Sequence, residues 1–333
     1  MTHQHEPIDF VVTWVDDRDE LWRAKREKYA SPKSKTGNMD IRYRDWDLLK
    51  FWFRGVEQNA PWVRHVYFVT DQQKPQWLNL EHPKLKWVNH TDFIPQEYLP
   101  VFNSNVIEWN LHRIPGLSDR FVYFNDDMFL IDKVQPTDFF VKGLPCDLPK
   151  VGMLFALDLF EFMLFNNMGL LNQNFSFKDS VKQNLGKWIK KNSPMDIMKL
   201  LVYCRNPHVP FIKSYHLHIS YLKKTFEEMW EKEPEALHDT CTHKFRTKQD
   251  LTTWCVRDWQ LLSGNFHPAK PIGKMFHTWG MKYDDSLLTY LKGKKGKVIC
   301  LNDSDGEDEF EAHKEALYKA MNQLFPEKSA FEI

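Results

Sequence analysis

Five short apolar runs constrain this chain more than anything else in it. Ile8 to Val15, Val66 to Thr70, Arg120 to Phe124 and Val298 to Leu301 are rich in β-branched or aromatic residues. Each runs directly into acids or amides: Asp16, Asp71, Asn125-Asp126-Asp127 and Asn302-Asp303. A fifth run, Leu85 to Asn89, ends in His90-Thr91-Asp92. Continuous apolar runs of this length read as strands buried on both faces. Between them lie helical patterns. Asp19 can cap a helix carrying Leu21, Trp22 and Tyr29, and Asp45 can cap a stronger one with Leu48, Leu49, Trp52, Phe53 and Val56 on one face. A further helix is expected over Ser104 to His112. Alternation of this kind predicts an α/β fold, a Rossmann-like parallel sheet flanked by helices.

Beyond Pro145 the pattern changes to helices at about 179–191, 194–203, 219–233 and 247–264, which predicts a largely helical insertion lobe. Val298 to Leu301 is expected to return to the first sheet before a last helix, Phe310 to Leu324. The division expected is 1–145 for the Rossmann-like sheet, 146–290 for the mainly helical lobe, and 291–333 for a strand and helix returning to the first part. Ser31 to Asn38 reads as a loop, and Asp303 to Glu309 as an acidic one.

Composition removes several classes of function. The chain has 45 basic and 45 acidic residues in 333, so no overall field draws in nucleic acid. The polar Met1 to Pro7 has no signal-peptide pattern, and no run of apolar residues is long enough to span a bilayer, so a cytoplasmic location is expected. Five scattered cysteines, Cys146, Cys204, Cys241, Cys255 and Cys300, with no C-x-x-C, argue against a disulfide framework. The aromatic content of 15% fits either core or a carbohydrate groove.

In an open parallel sheet, ligands bind beyond the carboxyl ends of the strands, where Asp16, Asp71, Asp126, Asp127 and Asp303 are placed. Hard oxygen donors there suit Mg²⁺ or Mn²⁺ on a diphosphate, although a lone acid after a strand is commonly turn chemistry. Asp126-Asp127 stands out because adjacent like charges repel unless a cation or base offsets them. Asn103-Ser104-Asn105 supplies small polar side chains at a helix start, with Glu108 about one turn inside. His216 and His218 precede a helix, and Cys241 and His243 follow. These spacings match no zinc motif, which leaves a general-base role for a histidine open. Arg246 can hold phosphate oxygens. The basic segment Lys178 to Lys191 reads as an amphipathic surface helix, or as one resting peripherally on the inner face of an anionic membrane.

Together these segments resemble the Stealth family of hexose-1-phosphate transferases. The resemblance runs through Ile8-Asp-Phe-Val-Val-Thr-Trp-Val-Asp16, Arg42-Tyr-Arg-Asp45, Ala60-Pro-Trp-Val-Arg64, Phe102-Asn-Ser104, Ile107-Glu108 and Asn125-Asp-Asp127. It continues in His216-Leu217, Thr225-Phe-Glu-Glu-Met-Trp230, Lys244-Phe-Arg246, Trp259-Gln-Leu-Leu-Ser-Gly-Asn265 and Cys300-Leu-Asn-Asp303. Asp16-Asp-Arg-Asp-Glu20 departs from the family's Asp-Gly-Ser-Asp-Pro, and His218 stands where many members have proline.

The resemblance implies a GT-A-like sheet and catalytic roles for Glu108, Asp127, His216 and Arg246. It implies donor contacts from Trp14, Asp16, Arg44, Asp45, Asn103, Ser104 and Asn105, and a metal on Asp127 and Asp303. The reaction implied transfers sugar 1-phosphate from a UDP-sugar to a polysaccharide or lipid-linked acceptor, with release of UMP. The competing readings are a glycosyltransferase that releases UDP and a non-catalytic polysaccharide-binding protein.

Overall fold

A computed structural model describes residues 7–30, 43–277, 285–293, 295–303 and 310–333. Arg42, the 31–38 loop and most of the acidic run after Asp303 lie outside these residues. The strands β1 (Ile8–Thr13), β2 (Val66–Thr70), β3 (Leu85–Asn89) and β4 (Arg120–Asn125) form parallel neighbours in the order β4-β1-β2-β3. Val11 pairs with Tyr67 on one side and Tyr123 on the other. All but the last residue of β1 are fully buried, because helices cover both faces of the sheet.

Residues of β1 alternate between two cores. Phe10 and Val12 pack with Trp52, Phe53 and Phe124 and with the C-terminal Leu317 and Met321. Val11 faces the other way, into a core with Val106, Trp109, Phe226 and Trp259. The helices after Pro145 therefore share a core with the sheet.

Helix α1 (Glu20–Tyr29) is capped by Asp19, as its position predicts. Helix α2 (Leu49–Asn59) buries the predicted stripe but has no side-chain cap. Asp45 is spent elsewhere: one of its oxygens accepts the Asp47 N–H at 2.9 Å, and the other accepts Arg18. Gly55 on α2 is required by close approach, since a Cβ there would sit 2.6 Å from the Leu130 carbonyl oxygen.

Four more expectations are corrected. Ile219 to Leu222 is not the start of a helix but a fifth strand, antiparallel to β4, with the helix beginning at Lys223. Only Trp254–Leu262 of the 247–264 span is helical, and 179–191 breaks at Asn184 into Phe177–Gln183 and Leu185–Ile189. The late strand Val298–Asn302 does not enter the first sheet. It pairs with Gly273–His277 and, antiparallel, with β5 (Met128–Leu130), which follows β4 after a tight acidic turn.

Candidate active site

That turn is Asp126-Asp127, and its geometry brings the late strand alongside. The Leu301 N–H donates to the Asp127 carbonyl at 2.8 Å, and the Cys300 thiol donates to Asp127 Oδ2 at 3.4 Å. Asp127 Oδ1 is buried with no hydrogen-bond partner. Burial, with Asp303 adding repulsion, pushes the Asp127 carboxyl up to about 6. Burial and then Asp127 itself push Asp126 well above the carboxylate range. Burial and the same carboxylate also raise the Cys300 thiol, which stays protonated.

His216 completes this group. Its donor atom, one from Asp127 and the Cys300 sulfur lie within 4.8 Å of one another, the group of potential metal ligands that forms among the described residues. Its backbone is held at φ +49°, a left-handed conformation that a non-glycine residue keeps only when its surroundings enforce it. The ring meets Trp254 edge-on at 5.8 Å. Burial, then His277 and Arg246, lower its basicity, so the imidazole is neutral near pH 7. His218 packs instead against Phe124 and Phe139, where burial pushes it down to about 4. His243 joins neither and bonds Asp250 through Nδ1 at 2.8 Å.

Helix α3 (Ser104–Asn110) is linked to this group through Arg246, which acts on His216 and bonds Ser104. Asn103 caps it, accepting the Asn105 N–H at 3.1 Å. The Asn103 and Asn105 amides both donate to Asp250 Oδ2, at 2.7 and 3.3 Å, and the Thr247 N–H and hydroxyl donate to the same carboxylate. Asp250 is fully buried and thus locks α3 to the loop that carries Arg246. Arg246 in turn donates to the Ser104 hydroxyl. Glu108 accepts the Thr253 hydroxyl. Burial raises its pKa, against the lowering effect of Thr253 and of Arg246. Tyr123 stands beside it and bonds Thr13 at 2.9 Å.

At the end of β1, the Gln73 amide clamps the Asp16 backbone, donating to its carbonyl at 2.7 Å and accepting its N–H at 3.0 Å. Arg18 gathers the Asp16, Asp45 and Asp47 carboxylates. The Trp14 indole N–H is buried without an acceptor. Two predicted site residues pair with each other: Arg44 meets Asp303 two-pronged, at 2.7 and 3.0 Å, and the Trp46 indole adds a third donor at 3.0 Å. Asp71 is closed by Lys25 at 2.7 Å. Sequence reasoning missed Asp250, Thr253, Tyr123 and Cys300. Only Cys300, next to the predicted Asp303 strand end, carried a visible signal.

Comparison with known proteins gives this arrangement a lineage. Residues 6–31 match Stealth protein CR1, conserved region 1, and residues 42–146 match Stealth protein CR2, conserved region 2. The capsular polysaccharide phosphotransferase WcwK of Streptococcus pneumoniae is 39% identical over 339 residues, covering 98% of each chain. The exopolysaccharide phosphotransferase cps2G of Lactiplantibacillus plantarum is 38% identical over 330 residues, covering 98% of this chain and 96% of its own. The crystal structure of the galactosyltransferase LgtC, with donor and acceptor sugar analogs, covers 95% of each chain at 11% identity and a TM-score of 0.39, too distant to inform substrate or mechanism. Identity of this order along the full length of the relatives means that the chain belongs to the Stealth family.

Proposed function

We propose that the chain transfers a sugar 1-phosphate from a UDP-sugar to a hydroxyl of a lipid-linked polysaccharide acceptor in capsule or exopolysaccharide synthesis. The observation that carries this reading is that Asp127, with one buried oxygen unsatisfied, shares one group with a neutral His216 on which Arg246 acts electrostatically. The kinship with polysaccharide phosphotransferases supports the reaction class.

His216 takes the proton of the acceptor hydroxyl as that oxygen bonds to the β-phosphorus. The bond from this phosphorus to the bridging oxygen breaks, UMP leaves, and a sugar phosphodiester remains. Arg246, aimed by Ser104, balances charge on the equatorial oxygens, and Glu108 orients the reactants. Trp14, Asp16, Arg44, Asp45, Asn103, Ser104 and Asn105 receive the donor, with the idle Trp14 N–H offering one hydrogen bond.

Mg²⁺ or Mn²⁺ fits Asp127 Oδ1, a hard, buried and unpartnered oxygen. The protonated Cys300 sulfur does not fit such an ion. Asp303 adds charge beside Asp127 while its oxygens stay on Arg44. A cation bound there supplies neutralisation of the diphosphate.

Incubating the enzyme with a panel of nucleotide-sugars, acceptor and Mg²⁺ or Mn²⁺, and identifying the freed nucleotide, tests the proposal. UMP is the expected product. UDP from every active donor would replace this reading with ordinary glycosyl transfer.

A further inference from the structure

Among the described residues, several strongly exposed apolar side chains lie on one part of the helical lobe, while Leu21 and Ile333 stand exposed elsewhere. Leu157 is 84% exposed, Met153 71% and Phe155 64%, all in the segment that follows the short strand Val151–Gly152. The helix Pro194–Tyr203 lies along this strand. Asp196 near its start pairs with Lys150 at 2.9 Å, and Tyr203 at its end donates to the Gly152 carbonyl at 3.4 Å. Leu200 is its buried side chain, yet Met195, Met198, Leu201 and Val202 are all more than half exposed. A helix that is apolar on its outer face as well as its inner one is not an ordinary surface helix, and such a face is suited to dock against something.

Charge decides what. The helix Pro194–Tyr203 and its flanks carry Lys190, Lys191, Lys199 and Arg205 against Asp196, with Asp158 beside Leu157, in a chain whose overall charge is +0. One of the two acids, Asp196, is already held by Lys150. Lys190, Lys191, Lys199 and Arg205 are exposed around the apolar residues. A second copy of the chain related by two-fold symmetry would set the same positive surface against itself, which disfavours self-pairing. Exposed methionine, leucine and phenylalanine side chains on a segment with neighbouring cations are instead the pattern of a surface that inserts shallowly between anionic headgroups.

We infer that the Met153–Leu157 segment and the outer face of Pro194–Tyr203 seat the protein on an anionic phospholipid surface. The face differs from that of the basic stretch before it, where Phe177, Val181 and Trp188 are buried in the protein. It also adjoins the candidate site: Phe160, just past the segment, meets Trp254 edge-on at 5.0 Å, and Trp254 meets His216. The inference stands apart from the reaction proposed above, since lipid seating is measured without turnover.

The test is co-sedimentation of the full chain with vesicles of phosphatidylcholine and phosphatidylglycerol in equal parts, against phosphatidylcholine alone. Binding is expected to the mixed vesicles, to weaken as salt rises, and to fall at least tenfold in the Met198→Glu, Leu201→Glu double variant. Both residues are exposed, so the fold should survive, which circular dichroism checks. The Leu157→Ser variant gives an independent loss through the neighbouring segment. The inference is overturned if the wild type ignores the mixed vesicles, if both variants bind undiminished, or if binding to pure phosphatidylcholine is as strong. It is overturned equally if the wild type dimerises and the double variant does not, because the face then belongs to a second copy.

Discussion

The two sides of the candidate site are built on opposite principles. On the α3 side Asp250 accepts from Asn103, Asn105, Thr247 and His243, so a single carboxylate fixes four residues from two segments. At the β4–β5 turn Asp127 keeps one oxygen without a partner, and Asp126 beside it carries the repulsion. The first side spends its polar groups on its own geometry, whereas the second holds them back. A buried polar group left unsatisfied costs stability unless something outside the chain completes it. The contrast therefore separates a side whose shape is fixed from within from a side that leaves an oxygen open to a ligand.

The largest expected effect comes from the unsatisfied side. Asp127→Asn should lower turnover by roughly a thousandfold, the scale set by removing one charge-stabilising group from a preorganised site. Its thermal midpoint should equal or exceed that of the wild type, because one member of a repelling buried pair becomes neutral. Lost stability with intact turnover would invert the contrast. Asp250→Ala should behave the other way. Leaving several buried donors without their acceptor should cost about 3 kcal/mol in urea unfolding, with turnover falling as a consequence of lost geometry. A variant that unfolds at the same urea concentration as the wild type would show that this carboxylate does not organise its side of the site.

The same division explains what could be read from residues alone. The sheet was legible because strands buried on both faces are continuous apolar runs, and the acids at their ends mark where the runs stop. Asp127 was singled out because two adjacent carboxylates conflict, and in the fold burial raises the pKa of both. Asp250 was not, because its meaning lies in donors that approach from other segments, and in the sequence it is one polar residue inside Thr247-Lys-Gln-Asp250. The strand Ile219–Leu222 was hidden for a different reason. It has only four residues and flows without a break into the helix at Lys223, so its apolar positions merge with a helical period. Asp303 was placed correctly at a strand end, but its pairing with Arg44 joins opposite ends of the chain and no local pattern encodes it.

The smallest effect is a shift in pH dependence, and it tests how the two sides communicate. In the proposed mechanism His216 acts as a base only when neutral, so activity should fall on acidification as the imidazole takes up a proton. Because burial, His277 and Arg246 lower its pKa, that loss should occur below the ordinary histidine value of about 6.5. Asp127, pushed up to about 6, adds to the same acid limb, since it too must be deprotonated to serve. The two contributions separate by substitution. His277→Ala removes one group that disfavours the imidazolium, so the His216 part of the limb should move upward by less than one pH unit while the plateau rate is unchanged. In Asp127→Asn the residual activity should show the His216 limb alone, and His277→Ala should still move it. An acid limb that vanishes with Asp127 and never responds to His277 would take the proton transfer away from His216 and place the whole pH dependence on the carboxylate.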